Sequence, residues 1–133
     1  MVVIGILGHG EFPEGLLSAA ELICGKQEKL FTAGLHPGDS PEAYAERVKT
    51  NIEKYGPDAE VLLLADLKGG TPGNIAAMML SDSVACLTGA NLPMLLHILL
   101  SRESASLSDL VSEALKAGLE GLTDLGAELR ELK

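Results

Sequence analysis

Four short aliphatic runs, each closed by a glycine or an aspartate and each followed by a stretch with helical character, constrain this chain more than any other feature. They are "VVIGIL" at residues 2–7, "KLFTA" at 29–33, "AEVLLLAD" at 59–66 and "SVACLTG" at 83–89. The first and third are apolar almost throughout, with no polar residue in alternation. Such runs read as strands buried on both faces, which is how strands of a parallel sheet read. Between them, residues 14–24 place Leu16, Leu17, Ala20 and Ile23 at helical spacing, with Gly25 as the stop. Ser40 is an N-cap ahead of Pro41, and that helix runs to about Tyr55, where Gly56-Pro57 closes it. "LKGGTPGN" is a loop that hands over to a helix at residues 72–80. A further helix follows Pro93, and Ser106 or Ser108 caps the next, which reaches about Leu119. The tail, residues 121–133, reads either as a helical extension or as a short strand with an end piece.

Strictly alternating strands and helices imply parallel strands joined by right-handed crossovers. The expected architecture is α/β: an open, doubly wound parallel sheet of order 2-1-3-4 with helices on both faces, one domain over residues 1–133. The two most hydrophobic strands, 1 and 3, are then central, and the switch point lies between them. Ligands of open α/β sheets bind there, beyond the carboxyl ends of the strands.

That placement gives meaning to two loops far apart in sequence. His9 follows the first strand within "GHG", and Asp66 ends the third strand just before "LKGGTPGN". Neighbouring strands lie about 4.8 Å apart, so the order 2-1-3-4 sets His9 and Asp66 face to face. A carboxylate that accepts the proton of one ring nitrogen fixes the imidazole tautomer and leaves the other nitrogen a nucleophile. Gly69, Gly70 and Thr71 add backbone amides and a hydroxyl at the start of a helix, an anion site by geometry and dipole. In-line positioning plus donors for phosphoryl oxygens is most of what phosphoryl transfer requires. Lys68 adds a cation that either helps hold phosphate or alters the surface a partner docks on. Glu11 and Glu14 either tune His9, complement a cationic partner, or simply occupy the first turn of a helix, where acids are favoured.

Other chemistries fit poorly. The loop lacks the "GxxxxGK[ST]" of a nucleotide-binding P-loop, and "GHGEFPEG" has the wrong spacing for "GxGxxG". A receiver domain would carry an acidic pair where Gly8-His9-Gly10 stands. No cluster has metal-ligand spacing, and neither a metal nor a cofactor is expected. His36 reads as solvent-exposed in a Pro-Gly loop and His97 as a satisfied helix residue. A formal net charge of −9 and an aromatic content of 3% argue against a nucleic-acid partner. Cys24 and Cys86 have neither a disulfide nor a zinc pattern, so buried free thiols and a reducing, cytoplasmic setting are expected. The start lacks the basic region of a signal peptide, and no run reaches the roughly 18 apolar residues that span a bilayer. No insertion into a membrane is therefore expected.

At these residues the chain resembles the IIA component of the mannose-type (mannose/fructose/sorbose) sugar phosphotransferase system. The resemblance rests on "GILGHGEFPEGLLSAAELICG" at 5–25, "LLLADLKGGTPGNIAA" at 62–77 and "LTGANLPMLLHILLSR" at 87–102. It implies that His9 accepts a phosphoryl group from phospho-HPr on Nε2 and passes it to a histidine of the IIB component. It also implies that Asp66 orients the ring, and that the protein is a homodimer in which a C-terminal strand can cross to the partner. Lys68 departs from the apolar or aromatic residue frequent at that position. Because the chain stops at Lys133, without a linker to a IIB domain, a free-standing or shortened IIA protein is expected. Two rival readings are a phosphorylation-sensing regulatory IIA domain and an anion- or nucleotide-binding α/β module.

Overall fold

The computed structural model describes residues 1–132. Its elements, in chain order, are β1 (Val3–His9), α1 (Phe12–Cys24), β2 (Leu30–Leu35), α2 (Pro41–Glu53), β3 (Val61–Ala65), α3 (Gly70–Met78), β4 (Val84–Thr88), α4 (Leu92–Ser101), α5 (Leu107–Glu120) and α6 (Leu125–Glu131). The strands form one parallel sheet of order β2-β1-β3-β4. This is the expected α/β class and strand order, with β1 and β3 in the middle.

Alternate residues of the same strands build two cores. Ile4, Ile6, Leu62 and Leu64 face α1, α4 and α5, where Ala20, Leu95, Ile98, Leu110 and Ala114 are buried against them. Val3, Leu7, Val61 and Leu63 face α2 and α3, where they meet Tyr44, Val48, Ile75 and Ala76. Every residue of β3 is buried. At roughly 1.5–3 kcal/mol for each large side chain taken out of water, these central strands carry much of the driving force. The helix starts follow the sequence. Ser40, Asn91 and Ser106 each accept a hydrogen bond from the backbone N–H three residues on, a cap worth about 1 kcal/mol apiece.

Several boundaries differ from the sequence reading. β1 runs through Gly8 to His9, because two facing glycines let the ladder continue: Gly8 pairs with Gly34, His9 with Leu35, and Gly10 N–H donates to Leu35 O at 2.8 Å. α1 starts at Phe12, since Pro13 sits in the first turn, where its missing N–H costs nothing. α3 starts at Gly70 rather than Pro72, for the same reason. Cys24 and Cys86 are free thiols but only half-buried, and burial raises the Cys86 pKa to about 11.

The tail is helical. Asp124 accepts from Ala127 N–H and starts α6. "LGAELRE" contains good helix formers and no β-branched residue, so Leu125–Glu131 form a helix where the alternative reading had a short strand. Lys133 lies outside the described residues. At the amino ends of the strands, Arg102 is 2% exposed. Its guanidinium donates to Val2 O, Lys29 O, Glu28 O and Gln27 Oε1, tying α4 to the starts of β1 and β2. Burial lowers its pKa, and the nearby negative charge of Glu103 offsets the desolvation only in part.

Candidate active site

His9 is the last residue of β1, and Asp66 is the first after β3. Their side chains meet as the strand order requires: His9 Nδ1 lies 2.8 Å from Asp66 Oδ2. The carboxylate is held by more than the ring. The backbone N–H of His9 donates to the same Oδ2 at 2.9 Å, and Leu67 N–H donates to Oδ1 at 2.9 Å. Burial raises the Asp66 pKa, but the hydrogen bonds from His9 and Leu67 and the nearby imidazole outweigh it, so the carboxyl lies below its ordinary value. Asp66 is therefore an anion at neutral pH. An ionised carboxylate can only accept, so in the neutral ring Nδ1 carries the proton and Nε2 keeps its lone pair.

The exposure is asymmetric in a useful way. The Asp66 side chain is 11% exposed and that of His9 is 48% exposed. The carboxylate is nearly buried while the ring is open, and Nε2 makes no hydrogen bond among the described residues. Two glycines make the arrangement possible. A Cβ at Gly8 would stand 3.2 Å from the Asp66 side chain and 3.1 Å from Phe12. A Cβ at Gly70 would stand 3.2 Å from His9 Cε1 and 3.4 Å from Nε2, and Gly70 has φ +71°. The amino end of α3 thus lies directly against the free face of the imidazole. Gly69 is the N-cap position, and Gly70 and Thr71 open the helix, so their amides and the helix dipole face the space beside Nε2.

The structure thus brings His9, Asp66 and Gly70 together, with Gly69 and Thr71 on either side of Gly70. Lys68 sits in the same loop, exposed, and makes no ion pair among the described residues. Glu11 is the N-cap residue of α1 without a capping side-chain bond, and Glu14 lies in its first turn. His36 is exposed, as expected. His97 is part-buried on α4 and pairs with Glu113 of α5 at 3.1 Å. No group of three or more His, Cys, Asp or Glu placed to hold a metal ion occurs among the described residues. No described helix is long and apolar enough to cross a membrane.

The family model described as the PTS system fructose IIA component (EIIA-man) matches residues 3–115, which include both site loops. This chain belongs to that family. It is 34% identical over 130 residues to the PTS system mannose-specific EIIAB component of Escherichia coli, covering 96% of this chain and 40% of that protein. The chain thus spans about two-fifths of that relative. It is also 34% identical over 114 residues to the PTS system fructose-specific EIIA component of Bacillus subtilis, covering 84% of this chain and 78% of the relative. The crystal structure of the phosphotransferase system component EIIA from Streptococcus agalactiae superposes with a TM-score of 0.88 at 33% identity, covering 96% of this chain and 99% of that one. The IIA fold therefore accounts for the sheet order and for the meeting of the two loops.

Sequence reasoning missed four residues around this IIA site. Phe12 and Leu67, 39% and 48% exposed, are large apolar side chains left in water beside the His9–Asp66 pair. Tyr44 and Arg47 of α2 reach the end of β2 next to His9. For Tyr44 a signal existed: it shares the buried stripe of α2 with Val48, four residues on, and a tyrosine placed in a core needs a partner for its hydroxyl.

Proposed function

We propose that this chain is a phosphoryl carrier of a sugar phosphotransferase system, with His9 as the covalent acceptor. The observation that carries the reading is an exposed imidazole held through Nδ1 by a buried, triply bonded carboxylate, with its free Nε2 against a helix amino end. The donor is phospho-HPr and the acceptor is the IIB component. In the first step the Nε2 lone pair attacks phosphorus in line. The new N–P bond forms as the donor's N–P bond breaks, and the leaving imidazole keeps the electron pair. The His9 ring becomes cationic, its proton stays on Nδ1, and Asp66 offsets the charge. Amides of Gly70 and Thr71, the dipole of α3 and Lys68 accommodate the equatorial oxygens. The second step reverses these events onto IIB.

Two different proteins must reach the same phosphorus atom, and an open site suits that need better than an enclosed one. Phe12 and Leu67 supply apolar contact around the reactive edge, and Glu11 and Glu14 supply negative charge for a basic docking face. The one-domain reading, a homodimer and a cytoplasmic location belong to the same proposal. So do the sugar classes in the relatives' names, which concern the complete transport system.

The test is phosphorylation by purified enzyme I, HPr and phosphoenolpyruvate, followed by mapping of the modified residue. Acid-labile label on His9 is the expected result. Label on another residue, or none while a control IIA protein is labelled, would refute the reading.

A further inference from the structure

The ring of His9 is fixed from β3, through Asp66. Its backbone is held on that side by the N–H bond to Asp66 and on the other side through β2, and β2 is an edge strand. Edge strands lack a neighbour on one flank and are the loosest part of a sheet. Here the last rungs of that edge are tied down from α2. Tyr44 is fully buried, and its hydroxyl donates to Ala33 O at 2.6 Å. Gly8 N–H approaches the same phenolic oxygen, so the tyrosine sits at the final β1–β2 rung before His9. Three residues on, one helical turn away, Arg47 Nη2 donates to Gly34 O at 2.6 Å. The two side chains thus hold consecutive carbonyls of β2, and successive carbonyls along a strand point to opposite flanks.

The pair is itself braced. The Arg47 guanidinium lies over the Tyr44 ring at 5.2 Å. Its Nη2 is also 3.5 Å from Asp39 Oδ2, which accepts from His36 N–H at 2.8 Å. Asp39 N–H in turn donates to His36 O at 3.0 Å. The turn leaving β2 is thereby closed onto the same arginine. The next rung is the one that matters for the site: His9 is in register with Leu35, and Gly10 N–H donates to Leu35 O.

We propose that Tyr44 and Arg47 are positioning residues: they clamp the carboxyl end of β2 and thereby hold the His9–Gly10 backbone in the geometry from which Nε2 reacts. The kinetic consequence rests on His9 being the acceptor, whereas the structural consequence does not. A loosened backbone misplaces the ring relative to Asp66 and α3, and small misplacements of a reacting group are costly in rate.

The experiment combines amide hydrogen exchange with steady-state phosphorylation by phospho-HPr, on Tyr44→Phe, Arg47→Met and Arg47→Lys. Tyr44→Phe removes one hydroxyl from a filled site, and Arg47→Met changes a half-exposed side chain, so at least the second keeps the fold. Exchange at Gly10 should rise by about tenfold in Tyr44→Phe and Arg47→Met while Leu63 and Leu64 in β3 stay protected, the mark of local rather than global opening. kcat should fall by roughly three- to tenfold with KM for phospho-HPr unchanged. Arg47→Lys, which retains a donor for Gly34 O, should recover most of both effects. Unchanged exchange at Gly10, an equal rise at Leu63 and Leu64 in both variants, or a change confined to KM would each overturn the clamp. Should His9→Ala still take up phosphate, the functional reading falls, and the exchange data alone decide the clamp.

Discussion

Two histidines of this chain are paired with carboxylates, and they are not equivalent. His9 meets Asp66 at 2.8 Å and His97 meets Glu113 at 3.1 Å. By distance alone the pairs look alike. In the first, the carboxylate is 11% exposed and its oxygens take two backbone N–H groups besides the ring. In the second, Glu113 is 49% exposed, the contact is made by Nε2, and Ser101 Oγ lies 3.5 Å from the same nitrogen. His9 keeps Nε2 free beside the amino end of a helix, whereas His97 sits within α4 and spends that nitrogen on its neighbour. A histidine–carboxylate pair becomes a site when the acid is the buried, immobilised member and donors await the incoming anion. Without those conditions it is a surface contact worth well under about 1 kcal/mol.

The sharpest way to break this comparison is to delete each ring. His9→Ala should abolish uptake of phosphate from phospho-HPr, while His97→Ala should stay within about twofold of the parent, a difference too small to implicate it in a barrier. Labelling of the two variants checks both, and comparable losses would erase the distinction. Next in size is Asp66→Asn, which keeps the shape but removes the charge that fixes the tautomer. Transfer should slow by roughly 10²–10⁴-fold, by analogy with other imidazole–carboxylate pairs. The same substitution has a pH signature. The Asp66 carboxyl is lowered from 3.8 in the folded chain, so the unfolded chain takes up its proton first as the solution is acidified. The stability contributed by the pair is complete above that ordinary value and is lost as pH falls through the lower, folded one. Acid unfolding of Asp66→Asn should lack this component, and Glu113→Gln should retain it.

Much of this contrast was legible in the sequence because it follows from topology. Alternating strands and helices dictate the order, the order dictates which carboxyl ends are adjacent, and His9 and Asp66 stand at those ends. What was not legible lies where local signals run against packing. Gly8 reads as a terminator, yet its missing side chain is what leaves room for Asp66 and lets β1 continue to His9. Pro72 reads as the first helical residue, yet α3 begins two residues earlier. Nothing in the sequence around Arg102 marks it for burial, and only the closed fold shows four acceptors around it. The hold of Tyr44 and Arg47 on β2 depends on tertiary distances that no spacing encodes.

A third prediction probes the room beside the ring. Gly70→Ala puts a methyl 3.2 Å from His9 Cε1 at a residue with φ +71°. Stability should fall by about 1 kcal/mol or more, and transfer should slow by about tenfold through displacement of ring or amides. Thermal unfolding and labelling rates measure the two effects, and a neutral result would mean that α3 does not set the position of the imidazole. The smallest effect belongs to Glu113→Gln, expected to change stability by less than about 0.5 kcal/mol. A loss several times larger would show that the second pair is more than a surface contact.

The grip of Asp66 on Nδ1 has a stereochemical consequence. An imidazole pinned at Nδ1 offers only Nε2, so under the proposed carrier role that one atom receives phosphorus and surrenders it. Each in-line displacement inverts the configuration at phosphorus. A chiral, isotopically marked thiophosphoryl group passing through this chain would therefore leave with the handedness it had on its donor.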